Sequence, residues 1–223
     1  MAITTPAPPL PAPPPFAFQV PEGILALPLG DTEEEREVRA RAFVRELYAE
    51  GDARVWEPAA AYYASLAEMM GAGGVSYAAV GLFATGPLDE EGRGRPGDGV
   101  AQCALSVAVA PTGQAAGDVD TVAQGLRAVL GADPLNDVRW LDLPCGPAVA
   151  RITLTTYRLT PEVTADGAPG ELPTGQIQAH VPFPNGPFTA VFTLDTASLD
   201  HWAEWCEVLA TVLDTVSFDD QDA

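Results

Sequence analysis

The sequence predicts an α+β fold in which about four helices pack on a mainly antiparallel sheet of about seven strands. Two observations carry this prediction. Strand-like segments follow one another in pairs and are separated by turn residues, which indicates antiparallel pairing. Helical apolar spacings occur between these pairs, in the order ββ-αα-ββ-α-ββ-ββ-α. We expect one α+β domain over residues 16–218, a disordered Pro-rich tail over residues 1–15 and an acidic tail over residues 219–223.

The C-terminal segment contains the clearest local signals. Residues 176–181 and 188–194 alternate apolar and polar side chains as strands do, and the turn between them contains Asn185-Gly186. A helix is predicted from about Leu199, with Ser198 as its N-cap. Its apolar residues recur at helical spacings and define one buried face: Trp202, Trp205, Cys206, Leu209, Val212, Leu213 and Val216.

The other elements follow from apolar spacing and turn residues. Thr32 and Glu35 form a capping box at the start of the first helix. The remaining predicted elements are extended segments at 16–20 and 25–29, a helix over 57–70, strands over 75–85 and 100–110, a helix over 118–130, strands over 138–143 and 149–159, and a polar loop over 160–174. The strands over 75–85 and 100–110 are too apolar for a solvated face, so we expect the sheet to be covered on both sides there.

Charge and composition limit the partners. The formal net charge is −20 at pH 7, and all 11 basic residues are arginines. A negative field of this size repels nucleic acid and anionic lipid, so we expect neither nucleic acid nor a membrane as a partner. It is compatible with a basic protein partner, with homo-oligomerisation, and with a role in solubility alone. The abundance of Ala, Gly, Pro and Arg is typical of a GC-rich bacterium.

Cysteine usage and the N-terminus indicate a cytoplasmic protein. Cys103, Cys145 and Cys206 are odd in number and widely spaced, which favours buried reduced thiols over a disulfide framework. The N-terminus lacks a basic region followed by an apolar one, so no secretory signal is predicted. Residues 1–15 contain PxxP spacings that could dock an aromatic groove, but such spacings arise easily by chance in proline-rich segments, so we favour a flexible polyproline tail.

A literal GxGxxG match occurs at residues 92–97 and does not predict a dinucleotide site. Such a loop must follow a strand and open a helix, whereas here an acidic run precedes it and a strand follows. Arg93 and Arg95 remain candidates for contacting an acidic group of a partner, and a solvated hairpin tip is the alternative. We expect the loop over residues 86–99 to belong to a binding surface.

Neither histidine indicates a metal site or a catalytic site. His180 falls on the polar side of its strand, where it is either an exposed sheet residue or a partner-binding residue. His201 and Glu204 could ligate zinc only with a third ligand, and no HExxH, HxH or CxxC spacing is present. The sequence also lacks a GxSxG elbow, so we expect no catalytic residues, no metal and no cofactor.

The tryptophans are candidates for a protein interface, where this residue is enriched. Trp202 and Trp205 cannot both point straight inward, because positions three apart differ by about 60° around a helix axis. One of them is therefore expected to line a groove. Trp140 is flanked by Asp137, Arg139 and Asp142, which could line a groove or form the polar face of a strand.

Two segments resemble PsbP-like domains, the group that includes the LpqN-type and DcrB-type bacterial proteins. The first is the aromatic strand and turn Phe16-Ala17-Phe18-Gln19-Val20-Pro21-Glu22-Gly23, and the second is the final strand, turn, strand and helix ending near Val216-Ser217-Phe218. The resemblance would span residues 16–218. It implies an antiparallel sheet flanked by helices and a non-catalytic adaptor or binding role.

Three functional hypotheses follow. The first is a cytoplasmic, non-enzymatic protein-binding module that acts as an accessory, chaperone or assembly factor. The second is an immunity-type inhibitor whose charge covers a basic toxin, which predicts salt-dependent association. The third is a small-molecule enzyme or sensor with a pocket between sheet and helices. The residues expected to bind a partner are Trp202, Trp205, Trp140, Arg93, Arg95 and His180.

Overall fold

The computed structural model describes residues 12–49, 51–85, 99–112, 118–162, 164 and 167–218. Within these residues, four α-helices and nine strands follow one another along the chain. They are β1 (Phe16–Ala17), β2 (Ile24–Ala26), α1 (Glu33–Leu47), α2 (Ala53–Ala72), β3 (Val75–Ala84), β4 (Val100–Pro111), α3 (Val119–Leu130), β5 (Asp137–Leu143), β6 (Gly146–Leu159), β7 (Gly170–Pro182), β8 (Phe188–Thr196), α4 (Trp202–Asp214) and β9 (Ser217–Phe218). The predicted tail up to residue 11, most of the loop over residues 86–99 and the acidic tail lie outside the described residues.

Seven of the strands form an antiparallel sheet in the order β2-β3-β4-β8-β7-β6-β5. The predicted α+β class is therefore confirmed, and the elements follow the predicted order. The strands β1 and β9 form a separate antiparallel pair, with Phe16 opposite Phe218. This pair joins the two ends of the described chain.

The two faces of the sheet differ in chemistry. On one side, which we call the α4 face, Leu105, Phe192 and Leu194 form the main core with Trp205 and Leu209 of α4. The opposite side, which we call the polar face, is formed by the alternate residues of the same strands. One of its cross-strand rows contains the following residues: Arg151, Gln178, Thr193 and Ser106.

The N-terminal segment packs along the α4 side of the sheet. The Phe18 ring lies edge-on to Phe192, with 5.3 Å between centroids, and edge-on to Tyr77 at 5.1 Å. Gln19 donates its backbone N–H to Thr215 Oγ1 at 2.8 Å. A Cβ built on Gly186 would lie 3.5 Å from two ring carbons of Pro14, so the end of the Pro-rich segment lies close to this turn.

Helices α1 and α2 form a hairpin with a small core of its own. The predicted capping box is present in a shifted form: Glu35 N donates to Thr32 Oγ1, and the Glu35 carboxylate accepts from the N–H of Asp31, one residue before the cap, both at 3.2 Å. The hairpin packs against Leu25, which points away from the α4 face because its neighbour Ile24 belongs to the main core. The hairpin therefore covers the polar face beside β2 and β3. Helix α3 packs on β5, β6 and β7, and Val149 on the polar face there is fully buried.

Four details differ from the sequence-based expectation. Helix α2 begins at Ala53, four residues before the predicted start, because Asp52 caps it by accepting from Arg54 N at 2.9 Å. The predicted cap Ser198 instead accepts from Gln102 N at 3.0 Å, and a 3₁₀ turn precedes α4. The sheet is not covered on both of its faces at β4, because Ala104 on the polar face is exposed. Strand β7 begins at Gly170, inside the predicted loop, because pairing with the long β6 overrides the local turn signals.

Candidate functional site

The two tryptophans of α4 occupy different environments. Trp205 is buried, lies tilted against Phe83 with 5.6 Å between ring centroids, and donates its Nε1–H to Ser198 O at 3.2 Å. Trp202 is half-buried, and its ring lies against Gly175 of β7. A groove of about 480 Å³ is lined by Trp205 and Phe83, so the tryptophan of α4 that borders a groove is the buried one, whereas Trp202 packs against the sheet.

Trp140 and the charged residues beside it are divided between the two faces of edge strand β5. Trp140 is half-buried on the polar face and donates its Nε1–H to Asp142 Oδ1 at 2.9 Å. Asp137 and Arg139 lie on the other face, where Arg139 donates two hydrogen bonds to the carboxylate at 2.7 and 2.8 Å. The hydrogen bonds from Arg139 lower the pKa of the exposed Asp137 carboxyl. The four residues do not line one groove.

His180 lies on the polar face and is half-buried, so it is not a fully exposed sheet residue. Its Nε2 atom is buried and has no hydrogen-bond partner within the part of the chain that the structure describes. Burial, together with the nearby charge of Arg151, lowers the pKa of His180. The ring is therefore neutral near pH 7.

A hydrogen-bonded polar network on the same face crosses three strands. Arg151 Nη2 donates to Gln176 Oε1 at 2.9 Å, and Gln176 Nε2 donates to Asp195 Oδ1 at 2.8 Å. Burial raises the pKa of Asp195, and the hydrogen bond from Gln176 opposes this rise. The amide of Gln176 thus connects a cation and a carboxylate that do not touch. Alternation of polar residues in β7 was visible in the sequence, but the partners on β6 and β8 depend on register.

A third surface is a groove of about 590 Å³ between α1 and α2. Three arginines line it together with Trp56, and Arg45 lies 5.8 Å from the centroid of that ring. Acidic side chains, such as Glu57 and Glu68, line the same groove. Its mixed charge does not select a ligand. Arg93 and Arg95 lie outside the described residues, so they are not placed relative to any of these surfaces.

The most unusual surface is the far end of the β6–β7 hairpin. β5 begins opposite Ile152, and β8 ends opposite Gly175. Beyond these points, residues 155–159 and 170–174 pair with each other and, among the described residues, with no further strand. We call this two-stranded extension the ribbon.

The ribbon and its base expose large apolar side chains on both faces. Tyr157 is 54% exposed and stands directly opposite Leu172, which is 39% exposed. Leu154, at the base on the other face, is 74% exposed. Tyr157 and Leu172 thus form an exposed apolar pair on one face, and Leu154 is exposed by itself on the other. Leu172 was missed because residues 160–174 were assigned to a loop, whereas Tyr157 was placed in the strand over 149–159 but its exposure depends on where the neighbouring strands end.

The two edges of the ribbon differ. On the β7 edge, Pro173 has no N–H to offer a further strand, and proline is a common protection of exposed edges. On the β6 edge, residues 153–159 contain three threonines and a tyrosine, which favour strands, and no proline. The β6 edge is therefore open to a further strand.

Comparison with known proteins leaves the chain without an assigned family. No protein-family model matches it, and no curated protein matches it. The resemblance to PsbP-like domains therefore stays a prediction. Among the residues that the structure describes, no helix is both long enough and apolar enough to cross a membrane. The same residues contain no group of three or more side chains placed to hold a metal ion.

Proposed function

We propose that this chain is a non-enzymatic protein-binding module that takes up an extended segment of a partner along the free β6 edge. An accessory, chaperone or assembly role would use such a surface. The observation that supports the proposal is the stretch 153–159, which pairs with β7 but, among the described residues, with no strand on its other edge, and which carries exposed Leu154 and Tyr157.

The addition of a strand from a partner explains both the open backbone groups and the exposed apolar side chains of this edge. An incoming strand would pair with backbone groups that β5 leaves free, and such hydrogen bonds supply affinity without sequence preference. Its alternate side chains would meet Leu154 on one face and Tyr157 on the other, and these contacts supply specificity. A two-stranded ribbon is at best marginally stable by itself, so a third strand would also stabilise it.

The partner segment is expected to be apolar and to carry basic flanks. The apolar positions match the exposed leucine and tyrosine, and the basic flanks match the net charge of −20. Basic flanks accelerate association, and salt weakens their contribution. The apolar and backbone contacts should survive high salt.

Affinity capture from the host cytoplasm, followed by mass spectrometry, tests this proposal when it is done with matched variants. The double variant Leu154→Ser/Tyr157→Ser should lose the partner that the wild-type chain retains at high salt. Leu135→Ser is the control, because Leu135 is 85% exposed but lies in the α3–β5 connection. If the double variant retains the partner as well as the control does, the partner binds to a surface other than the ribbon edge. Loss of the partner from the control as well would show that the effect is not specific to the ribbon.

A further inference from the structure

Helix α2 carries an exposed apolar stripe. Val55, Tyr62 and Met69 follow one another at intervals of seven residues and are 44%, 63% and 66% exposed. A spacing of seven keeps side chains near one line of a helix, and this line is about 21 Å long. The stripe points away from Ala60 and Ala67, the buried residues of α2.

The composition of α2 is unusual for a helix on the surface of a highly charged protein. Surface helices normally turn a charged face to water. Of the 20 residues of α2, only Arg54, Glu57 and Glu68 are charged, although the chain has a net charge of −20. Two of the exposed positions beside the stripe, Ala61 and Ser65, are small. Small residues would let another helix approach closely.

We propose that the α2 stripe is a self-association surface, on which α2 of a second copy packs antiparallel across a two-fold axis near Tyr62. The stripe is symmetric about Tyr62, so Val55 of one copy would meet Met69 of the other. A two-fold interface requires this self-complementarity. The proposal is independent of the ribbon and its partner.

Charge selects the antiparallel arrangement. Arg54 and Glu68 flank the stripe on the same side and near opposite ends. In an antiparallel pair, the same flanks of the two helices face each other, so Arg54 of each copy approaches Glu68 of the second copy. Glu68 is available for this contact, since its side chain is 69% exposed and its ion pair with Arg36 is long, at 3.9 Å.

Charge also favours a second copy over a basic partner. The stripe and its flanks hold one cation and two carboxylates, so they offer no concentrated negative surface to a basic protein. Two copies of the chain repel each other through their net charge, and salt screens this repulsion. Self-association through α2 should therefore become stronger as salt increases, which is opposite to the behaviour of a complex with a basic protein.

Sedimentation equilibrium of the full chain at low and high salt tests the proposal. Wild type should form a dimer whose dissociation constant falls with added salt, and Tyr62→Glu should weaken it by about 100-fold or more. Arg54→Glu and Glu68→Arg should each weaken the dimer, and the double variant Arg54→Glu/Glu68→Arg should recover most of the affinity. Leu135→Glu is the control and should leave the dimer unchanged.

Three results would overturn the proposal. A chain that stays monomeric at every salt concentration has no such interface. A dimer that is insensitive to Tyr62→Glu uses another surface. A dimer that the double charge reversal does not restore is not antiparallel through α2. Circular dichroism of each variant shows whether it is folded before its association is compared.

Discussion

The ring of Trp202 occupies the space that a side chain at Gly175 would need. A Cβ built on Gly175 would overlap Trp202 and would also lie 3.0 Å from Leu199 Cδ2. Gly175 is the last β7 residue on the ribbon side that pairs with β8. This contact therefore fixes the start of α4 against the sheet where the ribbon begins.

Gly175→Ala should destabilise the fold by about 1–3 kcal/mol, since overpacking a rigid indole forces the backbone or the ring to move. Urea unfolding measures this loss. The substitution should cost less in a Trp202→Leu background, because the smaller side chain leaves room. Equal costs in both backgrounds would contradict the packing argument.

Gly125→Ala is the matched control for this substitution. Gly125 lies inside α3, and a Cβ there would meet no atom within 4 Å. Alanine is the better helix former, so this variant should gain about 0.5–1 kcal/mol of stability. A loss at Gly125 similar to that at Gly175 would mean that packing against Trp202 is not the cause.

Gln176→Leu should destabilise the protein by about 1–3 kcal/mol, because it leaves half-buried Arg151 and Asp195 without the amide that connects them. Gln178→Leu is the control, since Gln178 makes one long hydrogen bond, to Thr193 Oγ1 at 3.3 Å. Thermal unfolding of the two variants gives the comparison. Equal losses of stability in the two variants would show that the hydrogen-bonded connection across β6, β7 and β8 does not stabilise the fold.

Burial raises the pKa of the Cys103 thiol to about 11, and Cys103 is only 3% exposed. Because the thiolate is the reactive form, we expect Cys103 to be alkylated only when the protein unfolds. Mass spectrometry after timed labelling with iodoacetamide measures the rate at each cysteine. Cys145 and Cys206 are half-buried and should both react earlier. Labelling of Cys103 at the same rate as these two would contradict its placement in the core.

The fold was more predictable than the surfaces that we propose for binding, for a physical reason. Alternation in 188–194 and the capping box at Thr32 are local signals, and both are confirmed. The ribbon depends on where β5 begins and β8 ends relative to β6 and β7, which no local pattern encodes. The α2 stripe was visible as apolar residues, but its exposure depends on which face of α2 packs against α1.

The last prediction concerns pH and His180. Its pKa is lowered by burial and by Arg151, so the unfolded chain takes up this proton at a higher pH than the folded chain. The free energy of unfolding should therefore fall as pH decreases through about 6.5 and below. Asp195, whose pKa is raised by burial, contributes the opposite slope at lower pH, because the folded form binds that proton first.

Urea unfolding of wild type and His180→Gln between about pH 7.5 and pH 5.5 isolates the contribution of His180 to the pH dependence of stability, since all other titratable groups are common to both proteins. The variant should lose less stability than wild type over this interval. Equal losses would mean that His180 titrates alike in the folded and unfolded chains. Its buried Nε2 would then be accessible to water, and the lowered pKa would have no basis in burial.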